Sequence, residues 1–147
     1  MDKIIIAPVW AGNVPGRAHE TDAWFDVFSS CSALIQPKSM VNVPVWVKVA
    51  MPNWMVCLLL PRSSLFAKKW LLLVNSVWVV DAWYRGEIGM QLYNTTDKDV
   101  IIEDWEKIGQ LIFTNYSTDV EISVDYENFE EKYPSDRGAN WFGSTWN

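Results

Sequence analysis

In the segment 40–48, valines occupy every second position from Val41 to Val47, and this pattern restricts the fold of the chain more than any other feature. Successive side chains of a β-strand point to opposite faces of a sheet, so the spacing predicts a strand with one apolar face. Short apolar segments bounded by turn-forming residues recur along the chain and predict further strands. They are residues 3–8, 33–35, 55–60, 87–93, 100–102, 108–114 and 120–124.

No sustained apolar period of 3.6 residues runs through the sequence, and only residues 64–69 are predicted to form one or two helical turns. Many short strands without alternating helices predict an all-β sandwich or barrel. A length of 147 residues fits one compact domain. Because the composition changes near residue 126, we expect a β-barrel over residues 1–125 and a C-terminal arm over residues 126–147.

The charge balance excludes several classes of partner. Twelve Lys and Arg against 18 Asp and Glu give a net charge of −6, whereas a nucleic-acid interface is basic. The apolar runs are too short to span a membrane, and the first residues lack the basic start and long apolar core of a signal peptide. Cys31 and Cys57 do not form a CxxC motif, and His19 lies among charged residues. We therefore expect a cytoplasmic protein with no nucleic-acid partner, no membrane span and no histidine-dependent centre.

The chain has 10 tryptophans and only 7 glycines, whereas a protein of this size has about ten glycines. Trp54, Trp70 and Trp105 lie where turns and a helix end favour glycine, because glycine reaches positive φ without steric cost. The local pattern therefore predicts that tryptophan replaces glycine at these positions. A tryptophan-rich ligand groove is the alternative interpretation.

Two segments suit the binding of a metal ion or an anion. Asp22 and Asp26 are predicted to share one face of a short strand, where either carboxylate could hold a metal through water; surface charge is the alternative. Arg62, Ser63 and Ser64 follow a predicted strand and offer a guanidinium group and two hydroxyl groups to an anion.

Three further segments carry candidate side chains. Asp81 directly follows the apolar run 77–80, and this run is predicted to bury the stem of the Asp81 side chain. Asp81 is therefore a candidate general base. An ion pair with Arg62 or Arg85 is the alternative role. Gln110 adds an amide at a strand start, where a structural role is the alternative. Residues 137–145 combine Arg, Gly, Ser, Thr and an aromatic residue, which suits a segment that folds over an anionic ligand; a frayed tail is the alternative.

Together and in this order, these segments resemble the trimeric all-β dUTPase family over nearly the whole chain. The family shows the motifs AGxD, PRSxLxxK, GxIDxxYRGEI, GxxIxQ and RGxGGFGSTG. The matching segments are residues 23–26, 61–68, 78–88, 105–110 and 137–146. The resemblance implies a distorted β-barrel or jelly-roll of short strands, with a C-terminal arm and a homotrimer whose active sites lie between subunits.

The resemblance also implies hydrolysis of dUTP to dUMP and pyrophosphate with Mg²⁺. Asp81 would activate the water that attacks the α-phosphorus, Asp26 would hold Mg²⁺ through water, and a hairpin at residues 75–80 would read uracil. The other residues implied to bind substrate are Arg62, Ser63, Ser64, Asn75, Tyr84 and Gln110, with Arg137, Phe142, Gly143, Ser144 and Thr145 of the arm.

Two other functions remain as alternatives. The dCTP deaminases share the fold and the PRSSL motif, but Gln91 stands where their catalytic glutamate would be, and an amide cannot transfer the proton that deamination requires. A catalytically silent nucleotide-binding or regulatory protein is the second alternative, especially for a chain that contains so many tryptophans.

Nine of the ten tryptophans fall at positions of family glycines. The family pattern has glycine at Trp24, Trp46, Trp54, Trp70, Trp78, Trp105, Trp141 and Trp146, and many members have it at Trp83. We hypothesise that the gene uses UGA for glycine and was translated with a table that reads UGA as tryptophan; a deliberate Gly→Trp design is the alternative.

Overall fold

The computed structural model describes residues 3–9, 14–124 and 128–135. Within these ranges the chain forms ten strands and two short helices, and no helix there is long and apolar enough to cross a membrane. In chain order these are β1 (Ile5–Pro8), β2 (Phe25–Phe28), β3 (Ala33–Ile35), β4 (Met40–Ala50), β5 (Met55–Pro61), α1 (Ser63–Lys69), β6 (Leu71–Leu73), β7 (Trp78–Val80), β8 (Ile88–Asn94), β9 (Val100–Ile102), β10 (Lys107–Asn115) and α2 (Phe129–Lys132).

Two four-stranded antiparallel sheets, with strand orders β1-β4-β8-β6 and β2-β10-β5-β7, enclose the core, and β3 pairs with β9 in a third sheet. Gly109 of β10 shows how closely the two large sheets approach. A Cβ atom added there would lie 2.6 Å from Sδ of Met90 on β8, in the other sheet. The predicted all-β class, with a jelly-roll-like arrangement of short strands and a short helix, is confirmed.

Strand β4 follows the valine alternation on which the prediction rests. Val43, Val45, Val47 and Val49 are buried in the core, while Lys48 points outward. The pairing of β4 with β8 shifts register between Pro44 and Val47, which is a β-bulge. The bulge lets Val45 and Val47, on either side of Trp46, both remain inside the core while the strand bends.

Three of the predicted glycine positions adopt the left-handed backbone conformation. Trp46, in the β4 bulge, has φ 47°, Trp70 has φ 57° and Trp105 has φ 63°. Trp70 ends helix α1, and its N–H donates to the Phe66 carbonyl at 2.8 Å. This is the place and geometry in which helices favour glycine. The origin of the tryptophans stays a prediction, but the backbone at these three positions fits it.

The predicted strand over residues 120–124 is wrong, because β10 ends at Asn115 and no strand follows it up to residue 124. Val120, Ile122 and Val124 are 67%, 86% and 67% exposed. An alternating pattern forms a strand only where a partner strand supplies backbone hydrogen bonds. The described part of the chain contains no partner strand for residues 120–124. Strands β2, β6 and β7 are short elements whose bounds the spacing of apolar residues did not predict.

Candidate functional site

Asp26, Arg62 and Lys107 form a charged cluster at one end of the β2-β10-β5-β7 sheet. The Asp26 side chain is only 5% exposed; its Oδ2 accepts a hydrogen bond from Lys107 Nζ at 3.0 Å, and Arg62 Nε lies 3.4 Å from its Oδ1. One carboxylate thus faces two cations. The excess positive charge suits this cluster, here called the cationic cluster, to an anionic ligand.

Three other residues that the resemblance implies to bind substrate lie beside the cationic cluster. Strand β10 runs between β2 and β5, and Gln110 lies opposite both Asp26 and Leu60. Arg62 has an extended backbone, and its N–H donates to the Ile108 carbonyl at 3.2 Å, which fixes the end of β5 against β10. Ser63 and Ser64 follow directly as the first residues of α1. The structure therefore brings Arg62, Ser63, Ser64 and Gln110 together at the adjoining ends of β5 and β10 and at the start of α1.

Asn75 and Tyr84, two of the residues that the resemblance implies to bind substrate, line a separate cavity of about 400 Å³ together with Trp78. The Trp78 and Tyr84 rings pack edge to face, with centroids 5.6 Å apart, and the Tyr84 hydroxyl donates to the Glu87 carbonyl at 3.0 Å. Asn42, Glu87, Gly89 and Gln91 complete its described lining, and we call this space the amide cavity. The described lining residues include no lysine or arginine, so the cavity suits a neutral hydrogen-bonding group rather than a phosphate.

Sequence reasoning did not assign Asn42 and Gln91 to this cavity. The pairing of β4 with β8 places them directly opposite each other. Their only sequence signal is that a polar residue occupies an outward-facing strand position, and many surface residues share that signal.

Asp81 follows β7 and begins a tight turn. Its Oδ1 accepts hydrogen bonds from the backbone N–H groups of Trp83, at 2.7 Å, and Tyr84, at 3.0 Å. These two bonds fix the orientation of the carboxylate, and Oδ2 has no hydrogen-bond partner among the residues that the structure describes. Asp81 is exposed, although the preceding Val80 is buried, so the predicted burial extends only to the residue before it.

Asp81 does not form the ion pair that was its alternative role. Arg85 instead donates through Nη1 to the carbonyls of Ala82, at 2.6 Å, and Tyr84, at 2.9 Å. Arg62 pairs with Asp26. Within the described ranges, Asp81 is therefore a carboxylate held by backbone groups and without a cationic partner, as a proton acceptor requires.

The cationic cluster and Asp81 lie far apart within one chain. Cys57 of β5 is opposite Val80 of β7 in antiparallel register. Arg62 lies five residues beyond Cys57 in one direction, and Asp81 lies one residue beyond Val80 in the opposite direction. At about 3.3 Å per residue, the two backbone positions are roughly 20 Å apart. One chain therefore does not bring the predicted general base to the predicted phosphate-binding residues.

Two local predictions are wrong. Asp22 lies in a loop before β2, where its Oδ2 accepts the N–H of His19 at 3.0 Å, so it does not share a strand face with Asp26. Residues 75–80 do not form a hairpin, because β6 and β7 on either side of the turn belong to different sheets. Strand pairing over long sequence distances decided the second outcome, whereas Asp22 is held by a local hydrogen bond within its loop. The predicted arm residues Arg137, Phe142, Gly143, Ser144 and Thr145 lie outside the described residues.

Cys57 is a buried thiol beside β7, and burial raises its pKa to about 12 through desolvation. At neutral pH it is therefore protonated and is no nucleophile. In the part of the chain that the structure describes, no group of three or more His, Cys, Asp or Glu side chains could hold a metal ion.

The chain is similar to known proteins over most of its length. A dUTPase family model matches residues 11–146. The deoxyuridine 5'-triphosphate nucleotidohydrolase of Corynebacterium glutamicum is 37% identical over 133 residues, which cover 90% of this chain and 86% of that protein. The protein of the same name from Tropheryma whipplei (strain Twist) is 37% identical over 136 residues, covering 91% and 89%.

Solved structures share the fold. The dUTPase of Staphylococcus bacteriophage 80alpha with dUPNHPP has a TM-score of 0.80 and 23% identity, covering 99% of both chains. The dUTPase from Streptococcus mutans has a TM-score of 0.71 and 28% identity, covering 82% of this chain and 98% of that one.

Proposed function

The chain belongs to the dUTPase family, and on that premise we propose that it hydrolyses dUTP to dUMP and pyrophosphate. The observation that carries the proposal is the Asp81 carboxylate, which is held by two backbone N–H groups and has no ion-pair partner in the described chain. It stands in the same turn as Tyr84, a wall of the amide cavity. We place the reaction in the cytoplasm, where the unpaired Cys31 and Cys57 would stay reduced.

In this proposal, one part of the dUTP molecule binds in the amide cavity and the other part binds at the cationic cluster. The neutral base and sugar enter the amide cavity, where Asn75 and Tyr84 contact them, and the triphosphate meets Arg62, Lys107, Ser63, Ser64 and Gln110. Asp81 accepts a proton from a water molecule as the water oxygen bonds to the α-phosphorus. The bond from that phosphorus to the bridging oxygen breaks, and pyrophosphate leaves. The arm residues Arg137, Phe142, Gly143, Ser144 and Thr145 would close over the bound nucleotide.

The described residues fit Mg²⁺ only as an ion carried by the triphosphate. Asp26 already pairs with Lys107 and Arg62, which disfavours direct coordination. Its Oδ1 is buried without a hydrogen-bond partner in the described chain and could accept one from a water of the metal shell. When bound, Mg²⁺ neutralises phosphate charge and aligns the leaving group.

We propose that the site is completed between chains of a homotrimer. The roughly 20 Å between Asp81 and Arg62 within one chain supports this, because one dUTP molecule must contact both residues. Val120, Ile122 and Val124 add support, since this alternating apolar segment is exposed in the single chain and a neighbouring chain could cover it.

Two experiments test the proposal. Incubation with dUTP and Mg²⁺ should release one pyrophosphate per dUMP, whereas dUDP and orthophosphate would contradict it. Arg62→Ala and Asp81→Asn chains should each be inactive alone. Refolded together at equal amounts, they should regain about a quarter of the wild-type activity, because a shared site then draws each intact residue from a different chain. Absence of recovery, with trimers formed, would contradict shared sites.

A silent nucleotide-binding protein is the second candidate function, and Trp78 favours it. The indole of Trp78 lines the amide cavity at a position where the dUTPase pattern has glycine, so it occupies space near the expected base. If the chain is instead a dUTPase obstructed by these side chains, replacing all nine tryptophans at glycine positions with glycine should raise Mg²⁺-dependent pyrophosphate release. A chain that binds dUTP tightly but releases no pyrophosphate before or after this change would support the silent protein.

A further inference from the structure

Helix α1 is attached at both of its ends to the segment that begins β10. At the first end, the Arg62 N–H donates to the Ile108 carbonyl at 3.2 Å. At the other end, Lys69 Nζ lies 2.7 Å from Glu106 Oε2, and both side chains are 25% exposed. Lys69 Nζ also donates to the Ile101 carbonyl of β9 at 2.5 Å. These attachments fix both the position and the direction of the seven-residue helix.

The Glu106 carboxylate also fixes the turn 103–106, through which the chain enters β10. Its Oε2 accepts the Glu103 N–H at 2.9 Å as well as a hydrogen bond from Lys69. The buried Ser29 hydroxyl holds the same turn, since it donates to the Glu103 carbonyl at 2.5 Å and accepts the Glu106 N–H at 3.0 Å. One carboxylate oxygen therefore joins the end of α1 to the turn before β10, and Ser29 joins that turn to the end of β2.

The phosphate-binding residues of the proposed site lie next to these attachments. Ser63 and Ser64 begin α1, at the opposite end of the helix from Lys69. Lys107 of the cationic cluster directly follows Glu106 in the chain. A rotation of α1 or of the turn would therefore move the hydroxyl groups or the ammonium group that the triphosphate meets.

We propose that Glu106 is a positioning residue, whose ion pair with Lys69 holds α1 and the start of β10 in the arrangement that binds the triphosphate. This inference rests on the proposed function, because it concerns how the phosphate-binding residues of that site are held. A carboxylate cannot donate a hydrogen bond to a phosphate, and its negative charge repels one. The positioning role and the bare charge of Glu106 therefore predict opposite effects when the carboxylate is removed.

Calorimetric binding of inorganic tripolyphosphate, measured without Mg²⁺, tests the positioning role without requiring turnover. Glu106→Gln should weaken this binding at least about fivefold, because the displaced hydroxyl and ammonium groups no longer converge on the phosphates. Glu103→Gln is the matched control, since it removes the same charge from the same turn. The Glu103 side chain is exposed and has no partner among the described residues. The control should change the binding less than about twofold.

Lys69→Met tests the same ion pair from its other side. A pure charge effect would make Glu106→Gln bind more tightly, Lys69→Met bind more weakly and the double variant resemble the wild type. The positioning role predicts that all three variants bind more weakly to a similar degree, because each loses the same ion pair. Lys69→Arg, which keeps a cation beside Glu106, should retain the binding. Thermal unfolding shows whether each variant folds, and a lower melting temperature with unchanged affinity would reduce Glu106 to a structural residue.

Steady-state kinetics with dUTP separates this inference from the proposed function. Glu106→Gln should raise KM more than it lowers kcat, because the phosphates are bound both before and during the reaction. If Glu106→Gln binds tripolyphosphate as tightly as Glu103→Gln does, the positioning role is overturned while dUTP hydrolysis by the wild-type chain still stands. If the wild-type chain binds tripolyphosphate but releases no pyrophosphate from dUTP, the proposed function fails instead. A wild-type chain that does not bind tripolyphosphate would also overturn the positioning role.

Discussion

Lys107 Nζ lies 3.0 Å from Oδ2 of Asp26, across the adjacent strands β10 and β2, and the Asp26 side chain is only 5% exposed. Arg62 contacts the other carboxylate oxygen with Nε at 3.4 Å. A buried carboxylate loses its hydration, and the contacts of these two cations with its oxygens offset that loss. Asp26 in turn holds both cations at the end of the sheet where the phosphates are expected.

Removing Asp26 should therefore destabilise the fold more than removing one of its partners. We expect Asp26→Asn to lower the free energy of unfolding by about 3 kcal/mol, because two cations are then left near each other without a carboxylate. Lys107→Met should lower it by about 1 kcal/mol, since Arg62 remains and Lys107 is partly exposed. Urea denaturation of both variants and of the double variant measures this; strictly additive losses would contradict a coupled cluster.

Replacing Asp81 should abolish turnover without disturbing the fold. In an Asp81→Asn variant, the side-chain amide oxygen can still accept from the N–H groups of Trp83 and Tyr84, so the turn should persist. Loss of the proton acceptor should lower kcat about 10²–10⁴-fold. Pyrophosphate release and thermal unfolding, measured in parallel, separate the two effects. A variant that keeps more than a tenth of the wild-type kcat would show that Asp81 is not the general base.

Glycine should stabilise the chain at a left-handed position. Trp105 has φ 63° and is 49% exposed, so Trp105→Gly removes a strained conformation and loses little buried surface. We expect the free energy of unfolding to rise by about 1 kcal/mol. Trp54 is the matched control, because it is 44% exposed but has no positive φ.

Trp54→Gly should instead lower the free energy of unfolding by about 0.5–1 kcal/mol, because glycine gains backbone freedom in the unfolded state. Guanidinium denaturation of the two variants gives the signs directly. If both substitutions shift stability in the same direction, backbone conformation does not set the response at these positions.

Cys57 should make stability fall in alkaline solution. Its thiol has a pKa of about 12 in the folded chain, above the ordinary value of 9.0, because burial disfavours the thiolate. The unfolded state therefore releases its proton first, and stability declines as pH rises from about 9 through about 12. A Cys57→Ala variant should lack this component. The difference in melting temperature between the two proteins should stay constant from pH 7 to 8.5 and narrow above it, whereas a constant difference up to pH 10.5 would contradict the burial effect.

Local features were predictable because local chemistry sets them. The alternation in β4 places its valines on one face and its polar residues on the other, so the strand was predicted from spacing alone. Trp70 was predicted to occupy a glycine-type helix end, and its φ of 57° confirms the conformation. Residues 120–124 carry a similar alternation, yet they form no strand, because alternation does not supply a partner strand.

By itself, the sequence determined the all-β class, the order of the five family motifs and the candidate residues for the proposed chemistry. These depend on neighbouring residues and on the side chains themselves. Only the tertiary structure decided that Lys107 pairs with Asp26, that Gln91 faces the cavity beside Asn42, and that Asp81 lies roughly 20 Å from Arg62. These relationships depend on which strands pair and in which register, and strand pairing joins residues that are far apart in the sequence.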